Sequence, residues 1–390
     1  MTTLFKYALK GERIGVVFGT FAPFHIGHYQ AVIQAKREND GVIVIVSGYT
    51  GDRGDVIGLN LQKRFRYTRE LFSDDPEVFV AYLDESDIER YPNGWAPWLE
   101  AIEDVVLEST ATNVPYHSRY TWYVGEEEYK SELEDRLSMW NSVKLLDRTI
   151  LPISATLIRD NPLKYWNYIT RPFRRHFSFN VLVMGPPSSG KTTLVRDLAR
   201  SFGSVFSEEY ARAYEVESNI RDEELVASDF QYLASGMYAE NKKAIHSPAN
   251  NGLFFADTNV TTTKTYSSIY LNKEEHSALV PMYEMLEAKE KWDLVIIVSP
   301  NIPYVDDGFR DMTHADEEFR QETLYKMMHD IVDTRHRFWG PETIIRDVMS
   351  GRSEDDPQGH YFKYKDARKM ILDAIYEKYG IDLDARLVGE

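Results

Sequence analysis

The segment Gly185-Pro186-Pro187-Ser188-Ser189-Gly190-Lys191-Thr192 constrains the fold more than any other stretch of the chain. It fits the pattern GxxxxGK[ST]. An apolar run at Asn180 to Met184 precedes it and reads as a buried strand, and a helical pattern at Leu194 to Ser201 follows it. Strand, glycine-rich turn and helix in that order open a βα unit whose backbone amides cradle phosphate. Gly185, Ser188, Ser189, Gly190, Thr192 and Thr193 are then the phosphate-facing positions. Lys191 bridges the β- and γ-phosphates of ATP, and the Thr192 hydroxyl is a ligand for Mg²⁺. Pro186 and Pro187 have no N–H to give, so the later amides carry the contacts.

This loop begins almost halfway along a chain of 390 residues, longer than one hydrophobic core usually serves. Two domains are expected, 1–176 and 177–390, with the boundary after the basic and aromatic cluster Arg171 to His176. The first half alternates strand runs (Ile14 to Phe18, Val42 to Val46, Val78 to Leu83, Thr121 to Val124, Val143 to Leu146) with helical patterns (Tyr29 to Arg37, Leu61 to Phe72, Trp98 to Leu107). Near-continuous apolar strands separated by helices predict a parallel sheet covered on both faces. The second half repeats the theme with strands at Leu253 to Ala256 and Leu294 to Val298 and helices at Glu318 to Arg337 and Phe362 to Tyr379. The fold class is α/β, two doubly wound parallel-sheet domains. Ser353 to Pro357 reads as an exposed acidic loop.

Charge and cysteine count narrow the chemistry. A net charge of −17 argues against general binding to nucleic acid or anionic membrane, so an anionic ligand needs a local positive site. The absence of cysteine removes disulfides, thiolate metal sites and a thiol nucleophile. No apolar window approaches the length of a membrane span, and the expectation is a cytoplasmic protein.

In the first half, Gly19-Thr20-Phe21-Ala22-Pro23-Phe24-His25-Ile26-Gly27-His28 leaves the first strand and enters a helix near Gly27. His25 and His28, three apart, can face one phosphate beside the helix N-terminus. Taken alone, two loop histidines beside a cap are more often structural. Near the end of the same domain, Ile153-Ser154-Ala155-Thr156-Leu157-Ile158-Arg159 offers capping hydroxyls and a guanidinium fork. Together these segments resemble the nucleotidyltransferase superfamily, with its GxFxPxHxGH loop and ISxTxIR segment. Within it the chain is most similar to bifunctional NMN adenylyltransferases of the NadR type.

That resemblance implies phosphate contacts from Gly19, Thr20, Phe21, Ser154 and Thr156, with His25, His28 and Arg159 at the reacting phosphates. Tyr91-Pro92-Asn93-Gly94-Trp95, with Trp98, resembles the stretch around the nicotinamide ring, which assigns Asn93, Trp95 and Trp98 to that ligand. Asp147-Arg148 is a weaker candidate for the adenosine or phosphate side, and one of Arg64 and Arg66 is expected to reach phosphate, the other being a solvated face. In the second domain Asp257 ends a strand, where a carboxylate holds Mg²⁺ or takes a hydroxyl proton. The stretch after it, Thr258 to Thr262, resembles the NadR-type kinase, as does Ser207 to Arg212 with Glu209 and Tyr210 toward ribose and ring. Tyr304 to Arg310 resembles the family's lid, with Asp306 on the riboside and Arg310 on phosphate.

The resemblance implies a kinase that makes NMN from nicotinamide riboside with MgATP, and an adenylyltransferase that makes NAD from NMN and ATP. The expected partners are these small molecules, with no nucleic acid and no membrane; a homo-oligomer is compatible with the sequence. Some NadR proteins carry an N-terminal helix-turn-helix, and the dozen residues before Ile14 are too few for one. One rival reading is an NAD- or NMN-sensing regulator with an activity lost. The other is a flavin-type synthetase, whose kinase by resemblance is not of this loop class.

Overall fold

The computed structural model describes residues 9–90, 93–110, 119–147, 149, 151–304, 316–348, 354–357 and 359–384. The chain divides into two compact units, Met1–Phe177 and Ser178–Glu390.

In the first unit the elements run β1 (Arg13–Gly19), α1 (Ile26–Glu38), β2 (Gly41–Gly48), α2 (Leu61–Leu71), β3 (Val78–Asp84), α3 (Trp95–Glu108), β4 (Arg119–Val124), α4 (Glu127–Arg136), β5 (Asn141–Leu145), α5 (Ala155–Asp160) and α6 (Arg171–Phe177). The sheet order is β3-β2-β1-β4-β5, with every pair parallel. Strand order reverses between β1 and β4, and ligands of open α/β sheets bind outside the carboxyl ends at such a switch point. The strand GVIVIVSG shows why the sheet is covered twice. Val42, Val44 and Val46 enter one core with Phe24, Val32 and Phe173, while Ile43 and Ile45 enter the other with Leu99, Ile102 and Leu133. Each such side chain contributes about 1.5–3 kcal/mol by leaving water.

In the second unit follow β6 (Phe179–Met184), α7 (Lys191–Ser201), β7 (Val205–Ser207), α8 (Tyr210–Ser218), α9 (Ala227–Ile245), β8 (Leu253–Asp257), α10 (Val260–Tyr270), α11 (Lys273–Glu287), β9 (Leu294–Val298), α12 (Glu317–Thr334), β10 (Ile344–Val348) and α13 (His360–Tyr379). Its parallel sheet has the order β10-β9-β6-β8-β7. The loop-bearing strand β6 is therefore central, between β8 and β9.

Helices α8, α9, α10 and α11 were not named from the sequence, and three other differences have physical causes. The helix expected to reach Arg337 stops at Thr334 and widens into a π-turn over Arg335–Trp339, because Arg335 donates to the Thr343 and Pro341 carbonyls and Trp339 Nε1 to the Glu287 carbonyl. Helix α4 escaped notice because only Leu133 of its ten residues is buried, which leaves no apolar period. The edge strand β10, with Arg346 and Asp347 exposed, and the three-residue β7 are too polar or too short to stand out. Glu354, Asp355 and Pro357 are exposed, as read, and Ser353 lies outside the described residues.

Two candidate active sites

The first site grows from the turn that closes β1. Phe21 takes a left-handed φ of 48°, Ala22-Pro23 is cis, and Phe21, Ala22 and Phe24 are buried. His25 caps the helix: its Nδ1 accepts from the Gly27 amide at 3.1 Å. The His28 Nδ1 accepts from the His25 amide at 3.3 Å, and the two rings stack at 3.7 Å between centroids. Because both Nδ1 atoms accept, each neutral ring carries its proton on Nε2. Two aligned N–H donors thus stand at the N-terminus of a 13-residue helix, which already favours an anion.

The late segment comes to the same place. Ser154 caps the six-residue α5 by accepting from the Leu157 amide at 3.2 Å, and Ile158 is fully buried beneath it. Arg159 donates to the Ala22 carbonyl at 2.7 Å and to the Thr156 hydroxyl at 2.9 Å, which ties this segment to the histidine loop. Arg53, which the sequence reading missed, donates to the Thr20 hydroxyl at 3.1 Å. Burial, reinforced by the positive charge of Arg53, pushes the Arg159 pKa down. Two guanidiniums that repel one another across a loop of N–H donors make a site suited to phosphate.

Beside it lies an aromatic group. Trp95 and Trp98 meet edge to face at 5.6 Å, Tyr129 packs on Trp95 at 5.0 Å, and Phe18 packs on Trp98 at 5.4 Å. Trp98 Nε1 donates to Glu85 Oε1 at 2.9 Å, and burial pushes the Glu85 carboxyl up. Phe18, Tyr129 and Glu85 were not picked out from sequence, because they come from the end of β1, the helix α4 and the residue after β3, and only topology unites them. Asn93 is exposed and donates to Glu89 at 3.1 Å, outside this aromatic group. Tyr91, Pro92 and Arg148 lie outside the described residues, and Asp147 is exposed, accepting from the Thr149 amide and hydroxyl.

The assignment of Arg64 to phosphate is corrected. Arg64 is fully buried and paired with Asp52 at 2.6 Å, and Asp52 in turn accepts from the Gly54 and Asp55 amides. Arg66 is exposed on the outer side of α2.

The second site surrounds the phosphate-binding loop. Ser188 (φ 53°) and Gly190 (φ 88°) are left-handed, which folds the loop back over the start of α7. Lys191 is buried, and its Nζ donates to the Pro186 carbonyl at 3.2 Å. Thr192 is half-buried and Thr193 exposed. Asp257, the last residue of β8, pairs with Val183 of β6 and so emerges beside the loop. It is 0% exposed, and neither carboxylate oxygen has a partner in hydrogen-bond geometry. Burial pushes its pKa up to about 6, against the opposing pull of Lys191 and Thr192.

Beyond Asp257 a cleft is walled by Pro187, Glu209, Arg212, Glu215, Tyr266 and Tyr270, with Phe230 and Met237 among its apolar residues. Tyr210 packs instead against α9, where a Cβ on Gly236 would fall 2.1 Å from its ring. Thr258, at φ 89°, is a strained β-branched residue directly after Asp257. Its carbonyl accepts from Asn241 at 3.3 Å, and the next residue, Asn259, caps α10 and donates to Glu290 at 2.9 Å. Asp306 and Arg310 lie outside the described residues.

A strand-turn-helix anion site on a 3-2-1-4-5 sheet, followed in the same chain by a phosphate-binding loop on a second parallel sheet, defines a nucleotidyltransferase joined to a P-loop phosphotransferase. Residues 16–161 match the cytidylyltransferase-like family and residues 180–338 match an AAA domain. The chain is 29% identical over 337 residues to the trifunctional NAD biosynthesis/regulator protein NadR of Salmonella typhimurium, covering 83% of this chain and 78% of that one. The Escherichia coli protein of the same description is also 29% identical, over 336 residues, with the same coverage. A solved NadR structure in complex with NR superposes with a TM-score of 0.83 at 40% identity, over 96% of this chain and 98% of the other. Another, in complex with NAD and AMP-PNP, gives 0.80 at 38%, over 97% and 99%. The chain belongs to the NadR family.

Proposed function

We propose that the chain is a bifunctional NAD-salvage enzyme: a ribosylnicotinamide kinase in the second unit and a nicotinamide-nucleotide adenylyltransferase in the first. What supports this reading is that each unit gathers its own cationic and N–H donors for phosphate, His25, His28 and Arg159 in one and the loop with Lys191, beside Asp257, in the other.

In the kinase step the 5′-hydroxyl of nicotinamide riboside attacks the γ-phosphorus of ATP, its proton passing to Asp257, and ADP leaves. The loop amides and Lys191 hold the β- and γ-phosphates in line. A buried carboxylate beside a Thr hydroxyl fits a hard cation that takes oxygen ligands, so Asp257 and Thr192 would hold Mg²⁺. When bound, Mg²⁺ neutralises charge on the transferring phosphoryl group. Among the described residues of the cleft, Glu209, Glu215 and Asp222 outnumber the single cation Arg212, and this net acidity suits the cationic pyridinium of the riboside.

In the adenylyl step a phosphate oxygen of NMN attacks the α-phosphorus of ATP, NAD forms and pyrophosphate leaves. No covalent intermediate on the protein is required. The Nε2–H groups of His25 and His28, with Arg159 and Arg53, donate toward the charge that develops on phosphate. Trp95 and Trp98 offer faces for the nicotinamide ring.

The deciding experiment incubates purified protein with MgATP and nicotinamide riboside and separates the products. NMN followed by NAD is the expected course. Absence of both, in folded protein, refutes the reading.

A further inference from the structure

We propose that Arg320 and Lys363 are positioning residues of the phosphate-binding loop, holding three consecutive loop carbonyls so that the three amides behind them face the nucleotide. Arg320, on α12, donates to the Pro187 carbonyl at 3.2 Å and the Ser188 carbonyl at 3.3 Å. Lys363, on α13, donates to the Ser189 carbonyl at 2.7 Å. Both are buried, at 3% and 0% exposure, although cations rarely are. A peptide plane points its carbonyl and the next residue's N–H in opposite directions. Holding the carbonyls of 187, 188 and 189 outward therefore aims the N–H groups of Ser188, Ser189 and Gly190 inward.

This loop needs such bracing more than most. Pro186 and Pro187 supply no N–H, so the cradle begins with these three amides. Ser188 sits at φ 53°, a conformation its Cβ disfavours, and its carbonyl is one that Arg320 holds. Arg320 also donates to the Ile302 carbonyl at 3.0 Å, fixing the loop after β9 to the same brace.

The proposal rests on the kinase reading of this loop, and its test separates the two. Arg320→Met, Arg320→Lys and Lys363→Met are made in the full chain. Kinase kcat and the KM for ATP and for nicotinamide riboside are measured, with adenylyl transfer as the internal control and the Lys191-dependent affinity for MgADP by calorimetry. Each Met variant is expected to lose about tenfold or more in kinase kcat/KM for ATP, since small misplacements of positioning groups cost that much. The KM for riboside and adenylyl transfer stay within about twofold, a split that general loosening of the fold would not give. Arg320→Lys, which keeps the charge without the fork, recovers part of the loss. Folded Met variants that keep ATP KM and MgADP affinity within about threefold overturn the proposal. So does an Arg320→Lys protein with unchanged ATP KM if the Met variants fail to fold. If wild-type protein phosphorylates no riboside yet MgADP affinity falls in the variants, the kinase reading fails and the bracing role stands.

Discussion

The Arg64 guanidinium and the Asp52 carboxylate face each other at 2.6 Å with 0% and 3% of their side chains exposed, beneath Gly48 at the end of β2. A Cβ on Gly48 would lie 2.2 Å from Arg64 Nη2. The pair fixes the loop that carries Arg53 to the phosphate site. Arg64→Ala strands a buried carboxylate and should cost about 3–5 kcal/mol of stability, read by denaturant unfolding of the first unit. Gly48→Ala should destabilise the same unit. A loss of activity in Arg64→Ala with unchanged stability would return Arg64 to the phosphate site.

The same pair sets an acid limit. Despite burial, the hydrogen bonds and charge of Arg64 hold the Asp52 carboxyl below its ordinary 3.8. A lowered carboxylate pKa gives stability that is present above the unfolded value and lost as pH falls through the folded one. Thermal melts of wild type should therefore fall below about pH 4 more steeply than those of an Asp52→Asn, Arg64→Met double variant.

Asp257 should trade stability for catalysis. With both oxygens buried, its ionised form is costly despite the opposing pull of Lys191 and Thr192, and its pKa is raised from 3.8 to about 6. For a raised carboxyl the stability is present below 3.8 and is lost as pH rises through about 6. Asp257→Asn should raise the melting temperature of ligand-free protein at pH 7 while abolishing riboside phosphorylation. In wild type, kinase activity should decline as pH drops below about 6, or lower where bound MgATP favours the carboxylate. Full kinase activity in Asp257→Asn refutes the assigned role.

The two sites should fail independently. Lys191→Ala should remove phosphorylation of nicotinamide riboside and spare NAD formation from NMN. His28→Ala should do the reverse, with a loss of about a hundredfold to a thousandfold for one donor to a developing phosphate charge. A His28→Ala effect below about threefold would place that ring outside the reaction.

Sequence-specific DNA binding is not expected, although two relatives are described as regulators as well as enzymes. The chain carries a net charge of −17, and, the exposed Arg171 apart, the basic side chains of the cluster from Arg171 to His176 are engaged internally. Arg175 pairs with Glu70 at 2.6 Å and lies over the Tyr67 ring, Arg174 donates to the Ile169 carbonyl, and His176 meets the Ile57 carbonyl. A sequence-dependent shift in an electrophoretic assay at physiological salt would contradict this.

Much of this molecule was legible in the residues alone, for local reasons. The phosphate-binding loop, the histidine loop and the Ser154 to Arg159 segment are contiguous, so spacing and flanking apolar runs expose them. Strands such as β2 and β9 are buried on both faces and announce themselves as unbroken Val and Ile. What the tertiary structure decided are relations between distant positions. Sequence could offer Arg64 as a phosphate ligand as readily as Arg53, because both are arginines after β2. Only packing puts one under Gly48 against Asp52 and the other on Thr20. Likewise nothing local marks Arg320 and Lys363: they lie 132 and 174 residues from the loop carbonyls they hold, and only the central place of β6 brings their helices to it. Short-range sterics and burial periodicity are written along the chain, whereas the partner of a buried charge is chosen by the fold.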